Sequence, residues 1–100
     1  MAASYRPEYV RQLVEGYAGL MAAVDTDAVG LRYLVQLADL HRAFARLPSE
    51  YAEVVFAHGL MGLSQEEAAR ALSKSQQWVS KRYRLALEEI TYYINGGEDE

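Results

Sequence analysis

Apolar residues recur along most of this chain at steps of three and four, the spacing that lines one face of an α-helix. From Pro7 to Val24 they fall at Val10, Leu13, Val14, Tyr17, Met21 and Val24. The pattern predicts one long first helix, with Pro7 in the opening turn, where a missing N–H costs nothing. Asp25-Thr26-Asp27 breaks the pattern and offers cap oxygens to a second helix, whose stripe is Leu31, Leu34, Leu37, Leu40 or His41, and Phe44. Leu47-Pro48 ends it, because proline disfavours helical geometry in the residue before it. Ser49 is expected to cap a third helix through Tyr51, Val54, Val55 and Phe56, stopped by Gly59 and Gly62.

Ser64-Gln65-Glu66-Glu67 reads as a capping box, in which the Ser64 hydroxyl meets the Glu67 amide and the Glu67 carboxylate reaches back. A short fourth helix therefore runs to Leu72. Ser73-Lys74-Ser75 interrupts it, and Ser75 caps a fifth helix with Val79, Tyr83, Ala86, Leu87, Ile90 and Ile94 on its apolar side, ending at Asn95-Gly96-Gly97. Ala69 is small where these two helices would cross, and Leu72 and Val79 fill the space between them. No strand-like alternation appears, so the fold class is all-α with about five helices. A short helix, a tight turn and a longer basic helix form the helix-turn-helix arrangement, whose second helix enters a DNA groove. Residues 1–46 form an amphipathic helical pair for packing or dimerisation, 47–95 the helix-turn-helix unit, and 96–100 an acidic tail.

Charge sharpens this picture. The chain of 100 residues has a formal charge of −4, yet residues 73–84, SKSQQWVSKRYR, hold four of its ten bases and no acid. Salt screens exposed charges beyond about 10 Å, so a local cluster can attract phosphate in an acidic protein. The acidic tail Glu98-Asp99-Glu100 is expected to restrain non-specific binding. Cysteine is absent, which excludes disulfides and thiolate metal sites. Charged residues near the N-terminus and the lack of a long apolar run point to a cytoplasmic protein without a membrane partner.

Residues 47–87 resemble region 4 of bacterial sigma factors. The likeness rests on Leu47-Pro48, Val54, Val55, Gly62-Leu63-Ser64, Glu67, Ala69, Leu72, Ser75, Val79 and Arg82, all at the family's spacing. Ser73 and Lys74 depart from it, standing where the family has glycine and an apolar residue, which leads us to expect a looser turn. Trp78 replaces threonine, and Ala52 holds a position that is often arginine. Residues 1–46 do not resemble the promoter-melting region, so a complete sigma factor is not expected. The resemblance implies promoter DNA as a partner, with RNA polymerase as a second.

With Val79, Tyr83, Ala86 and Ile90 inward, the 100° step per residue turns Gln76, Gln77, Ser80, Lys81 and Arg84 outward as candidate base readers. Glutamine pairs bidentately with adenine, and lysine or arginine with guanine. Ser64, Arg70, Lys74 and Ser75 are candidate phosphate contacts, the two serines also serving as caps. Trp78 either packs at the core edge or lies against DNA. Arg82 either contacts DNA or, as the resemblance implies, pairs with Glu67. Tyr9, Leu13, Tyr17, Leu20 and Met21 are candidate contacts of a homodimer.

Enzymatic chemistry is not expected. His41 and His58 lack a third ligand at metal spacing, Asp25-x-Asp27 lacks the glycine and terminal glutamate of a calcium loop, and no cofactor loop is present. The leading expectation is a small DNA-binding transcription regulator from a bacterium, phage or mobile element. The alternative is a region 4-like module that binds polymerase, a sigma factor or another protein. A ring-forming DNA-packaging factor is a third reading.

Overall fold

The computed structural model describes residues 5–25 and 30–96, apart from the side chains of Val24, Asp25, Leu31 and Arg32. The expected capping by Asp25-Thr26-Asp27, the stripe positions Val24 and Leu31, and the acids of the tail lie outside the described residues and side chains. Among the described residues six α-helices follow in order: α1 (Pro7–Glu15), α2 (Tyr17–Asp25), α3 (Leu31–Phe44), α4 (Ser49–Val54), α5 (Gln65–Leu72) and α6 (Gln76–Ile94). A π-helical segment, Val55–Leu60, continues α4. Among the described residues there is no strand, in keeping with the all-α expectation, and no helix is long and apolar enough to cross a membrane.

One core joins both ends of the chain. Val10, Leu13 and Val14 of α1 and Leu40 and Ala43 of α3 share it with Val54, Val55, Ala68, Ala69, Val79, Tyr83, Ala86, Leu87, Ile90 and Ile94. α6 is the common support, with α1, α3, α4 and α5 each packed against it. α1 runs antiparallel beside α6. Tyr5 exchanges hydrogen bonds with Asn95 (2.7 and 3.0 Å) at one end, and the Tyr83 hydroxyl donates to Glu15 Oε2 (2.8 Å) near the other.

Several helix boundaries differ from those expected. The single helix from Pro7 to Val24 is broken at Gly16 into α1 and α2. Gly16 closes α1 by donating to the Gln12 carbonyl (2.8 Å), and a Cβ there would sit 3.0 Å from that oxygen. Glycine is also a poor helix former, so the apolar stripe continues in sequence while the helix does not. Ser49 is the first helical residue rather than the cap, and Pro48 supplies the carbonyl that accepts from Tyr51 and Ala52. Leu34 and Phe56, expected inside, are exposed, Phe56 to 60%.

Gly59 does not stop the third helix. It lies buried in the π segment, where an added Cβ would be 2.6 Å from Val14 Cγ1 and 3.2 Å from the Tyr83 ring. Its lack of a side chain lets α1, the π segment and α6 meet. Gly62, with φ +76°, makes the actual turn toward α5, a backbone region that favours glycine.

Gly59→Ala forces a methyl group against a stiff buried valine and a buried ring, and overpacking of this kind costs about 1–3 kcal/mol; urea unfolding should show that loss with an unchanged denaturant slope. Burial first, then the hydrogen bond and charge of Glu15, raise the Tyr83 hydroxyl above its ordinary pKa of 10. Burial and Asp39 push Tyr5 up to about 12. A folded pKa above the unfolded one stabilises the fold fully below pH 10 and loses that stabilisation as pH rises through the folded value. Stability should therefore fall from pH 10 upward, and less steeply in Tyr83→Phe.

Candidate nucleic-acid interface

The two helices that define the site are fixed by local hydrogen bonds at three points. Ser64 Oγ accepts from the Glu67 amide (3.0 Å) and Glu67 Oε1 accepts from the Ser64 amide (2.9 Å), completing the expected capping box of α5. Ser75 Oγ accepts from the Trp78 amide (3.0 Å) and so caps α6. Between them Ser73 adopts the left-handed conformation (φ 58°, ψ 44°). Its amide donates to the Arg70 carbonyl (3.3 Å), and the Lys74 amide to that of Ala69 (2.9 Å). This pair of bonds is a Schellman closure. The turn is thus closed rather than loose, even though serine pays a steric cost there that glycine avoids.

α6 has a sharp division of faces. Val79, Tyr83, Ala86, Leu87, Ile90 and Ile94 are buried, while Gln76, Gln77, Ser80, Lys81 and Arg84 are all exposed. The five candidate readers thus share the outward side of one rod, spanning about 12 Å along its axis at 1.5 Å per residue. Lys81 has no ion-pair partner among the described residues, and Arg84 lies 3.7 Å from Glu88, both 61% exposed. Of the phosphate candidates, Ser64 and Ser75 are exposed as well as capping, and Arg70 stands 4.0 Å from Glu66.

Trp78 is half-buried and packs against the core edge. Two cations lie over its ring, Lys74 Nζ at 4.9 Å and the Arg82 guanidinium at 5.2 Å from the centroid. Such contacts are attractive through the ring quadrupole. They fasten the turn to the first part of α6, and Lys74 itself is exposed. Arg82 does not pair with Glu67, whose carboxylate is taken by the capping box. Instead Arg82 Nε lies 3.0 Å from Glu50 Oε2. Its N–H is not aligned for a hydrogen bond, so the contact is an ion pair that ties α6 to the start of α4. Glu50 was invisible as a partner in the sequence because thirty-one intervening residues separate it from Arg82.

The dimer candidates are engaged within the chain to different degrees. Leu13 is a core residue, 4% exposed, so it is not available to a second copy. Tyr9 donates to Gln36 Oε1 (2.9 Å), and the Tyr17 hydroxyl is 2.7 Å from His41 Nε2. Leu20 is half-buried against the core, and Met21 is 36% exposed. His58 Nδ1 donates to the Leu63 carbonyl (2.7 Å) and its ring meets Tyr83 edge-on, a structural role at the π segment. Among the described residues no group of three or more His, Cys, Asp or Glu is placed to hold a metal ion.

A capped short helix, a Schellman turn and a longer helix with one buried and one polar face make this a helix-turn-helix protein. Residues 37–90, more than half of the chain, match the family model described as Sigma-70, region 4, and the chain belongs to that family. The match begins within α3, ten residues before the Leu47-Pro48 opening that first carried the resemblance. No curated protein and no solved structure matches the chain. Domains of this family are helix-turn-helix units that bind DNA and RNA polymerase and are not enzymes.

Proposed function

We propose that this protein is a sequence-specific double-stranded DNA-binding regulator of transcription, with the first three turns of α6 lying in the major groove. The observation that carries this reading is the concentration of Gln76, Gln77, Ser80, Lys81 and Arg84 on the exposed side of a helix whose other side is held in the core. Gln76 and Gln77 suit adenine edges, and Lys81 and Arg84 suit guanine. Arg70 and Lys74 flank the turn, where phosphate contacts fix orientation without reading sequence. The start of α6, capped by Ser75 and without an acid in its first turn, adds partial positive charge beside those phosphates.

A second surface supports the alternative reading, contact with RNA polymerase or another protein. Phe44, Leu47, Ala52, Val55, Phe56 and Leu60 line an apolar cleft of about 180 Å³. Phe56 at its edge and Met61 beyond it are 60% and 63% exposed. This cleft involves none of the candidate DNA contacts, so both activities fit one molecule.

Selection of duplexes from a random pool, followed by affinity measurements across salt concentrations, tests the leading reading. The expected result is a defined site whose binding weakens steeply with salt through counterion release. Gln77→Ala should relax the preference at its base by about 1–3 kcal/mol, and Lys81→Ala combined with Arg84→Ala should weaken binding in a folded protein. A folded chain that binds no duplex at low salt would overturn the reading. Binding of a polymerase fragment that survives those substitutions but is lost in Phe56→Asp would establish the alternative.

A further inference from the structure

Because α1 lies antiparallel beside α6, its polar side flanks the same stretch of α6 that carries the outermost candidate reader. Pro7, Glu8 and Arg11 of α1 and Arg84, Leu87 and Glu88 of α6 line one open cleft of about 210 Å³. Two guanidinium groups from different helices thus border a single opening, one wall of which, α1, lies outside the family match over residues 37–90 while the other, α6, lies within it.

The two arginines are held differently. Arg11 is exposed, and its guanidinium stands 6.0 Å from the centroid of the Tyr83 ring; among the described residues no carboxylate pairs with it. Tyr83 is itself fixed by Glu15 at the end of α1, so the ring that supports Arg11 is rigid. Arg84 is paired with Glu88 at 3.7 Å, but both side chains are largely in water, and exposed pairs of this kind contribute little and yield readily to a stronger anion. Arginine presents a planar fork of donors that matches phosphate geometry. Glu8 and Glu88 balance the charge of the cleft, which disfavours stray anions and leaves binding to an anion already delivered by the neighbouring helix.

We propose that Arg11, together with Arg84, clamps a phosphate of the DNA backbone, so that the N-terminal helix forms a second wall of the DNA interface rather than only a packing element. The proposal rests on the DNA-binding reading above. It differs from it in assigning a DNA contact to a helix that is not part of the region 4 unit. Arg11 then adds affinity without sequence information, and Arg84 contacts backbone as well as or in place of a base.

The test uses the full chain and a duplex carrying its selected site, or a mixed-sequence duplex of twenty or so base pairs (a length of roughly two helical turns), across 50–200 mM salt as an approximate range. Arg11→Gln keeps much of the stem over Tyr83 while removing the charge. It should weaken binding about equally for site and non-site duplexes and lower the salt slope by about one. Arg42→Gln makes the same change in net charge on α3 and should leave the slope alone, whereas Arg11→Lys should keep it. Glu88→Gln, which releases Arg84, should raise affinity for both duplexes. If Lys81→Ala weakens binding but Arg11→Gln changes neither affinity nor slope in a folded protein, the clamp is wrong and the α6 reading stands. The clamp is equally wrong if Arg42→Gln lowers the slope as much as Arg11→Gln does. If the unaltered protein binds no duplex, both fall.

Discussion

The buried stripe of α6, from Val79 through Tyr83, Ala86, Leu87 and Ile90 to Ile94, is the surface on which the rest of the molecule is assembled. Its burial removes most of one side of a nineteen-residue helix from water, and hydrophobic burial is the dominant favourable contribution to folding. The same constraint fixes which side chains remain outside. A helix that commits those positions to the core has no choice about presenting Gln77, Ser80, Lys81 and Arg84 to solvent, since 100° separates successive residues. Core packing and the candidate interface are therefore two consequences of one orientation.

Tyr83 makes that orientation specific. Its ring meets His58 and lies 3.2 Å from where a Gly59 side chain would begin, while its hydroxyl reaches Glu15. Two segments far apart in sequence, the π segment and the end of α1, are thereby fixed to one residue of α6. At the N-terminal end of the helix the Ser75 cap, the Schellman turn and the cations around Trp78 do comparable work over a shorter range. Glu50 anchors Arg82 on the remaining side. α6 is thus restrained along its length, which suits the preorganised binding proposed for it.

What could be read from the sequence was local. The capping box at Ser64, the Ser75 cap, the limits of α5 and α6 and the inward face of α6 all follow from spacings of three and four residues, and the structure has them where they were expected. What escaped depended on distant partners. The apolar repeat runs through Gly16 without signalling the break, because the break is made by the backbone of a residue without a side chain, one whose conformation would bring a Cβ to 3.0 Å from the Gln12 carbonyl. Gly59 looked like a stop, whereas its role is set by Val14 and Tyr83, forty-five residues before it and twenty-four after. Arg82 found Glu50 rather than Glu67 for a related reason: Glu67 satisfies its own helix end first. Arg11 carried no motif at all, and only the antiparallel course of α1 brings it beside Arg84.

On the proposed reading, the outward face of α6 is the surface that meets the double helix. Two-dimensional NMR of the labelled protein, titrated with a duplex it has selected, addresses this residue by residue. The largest shifts are expected at the amides and side chains of Gln76, Gln77, Ser80, Lys81 and Arg84, with Phe56 and Met61 unmoved. Shifts confined to the Phe56 and Met61 surface, with α6 unchanged at saturating duplex, would contradict it.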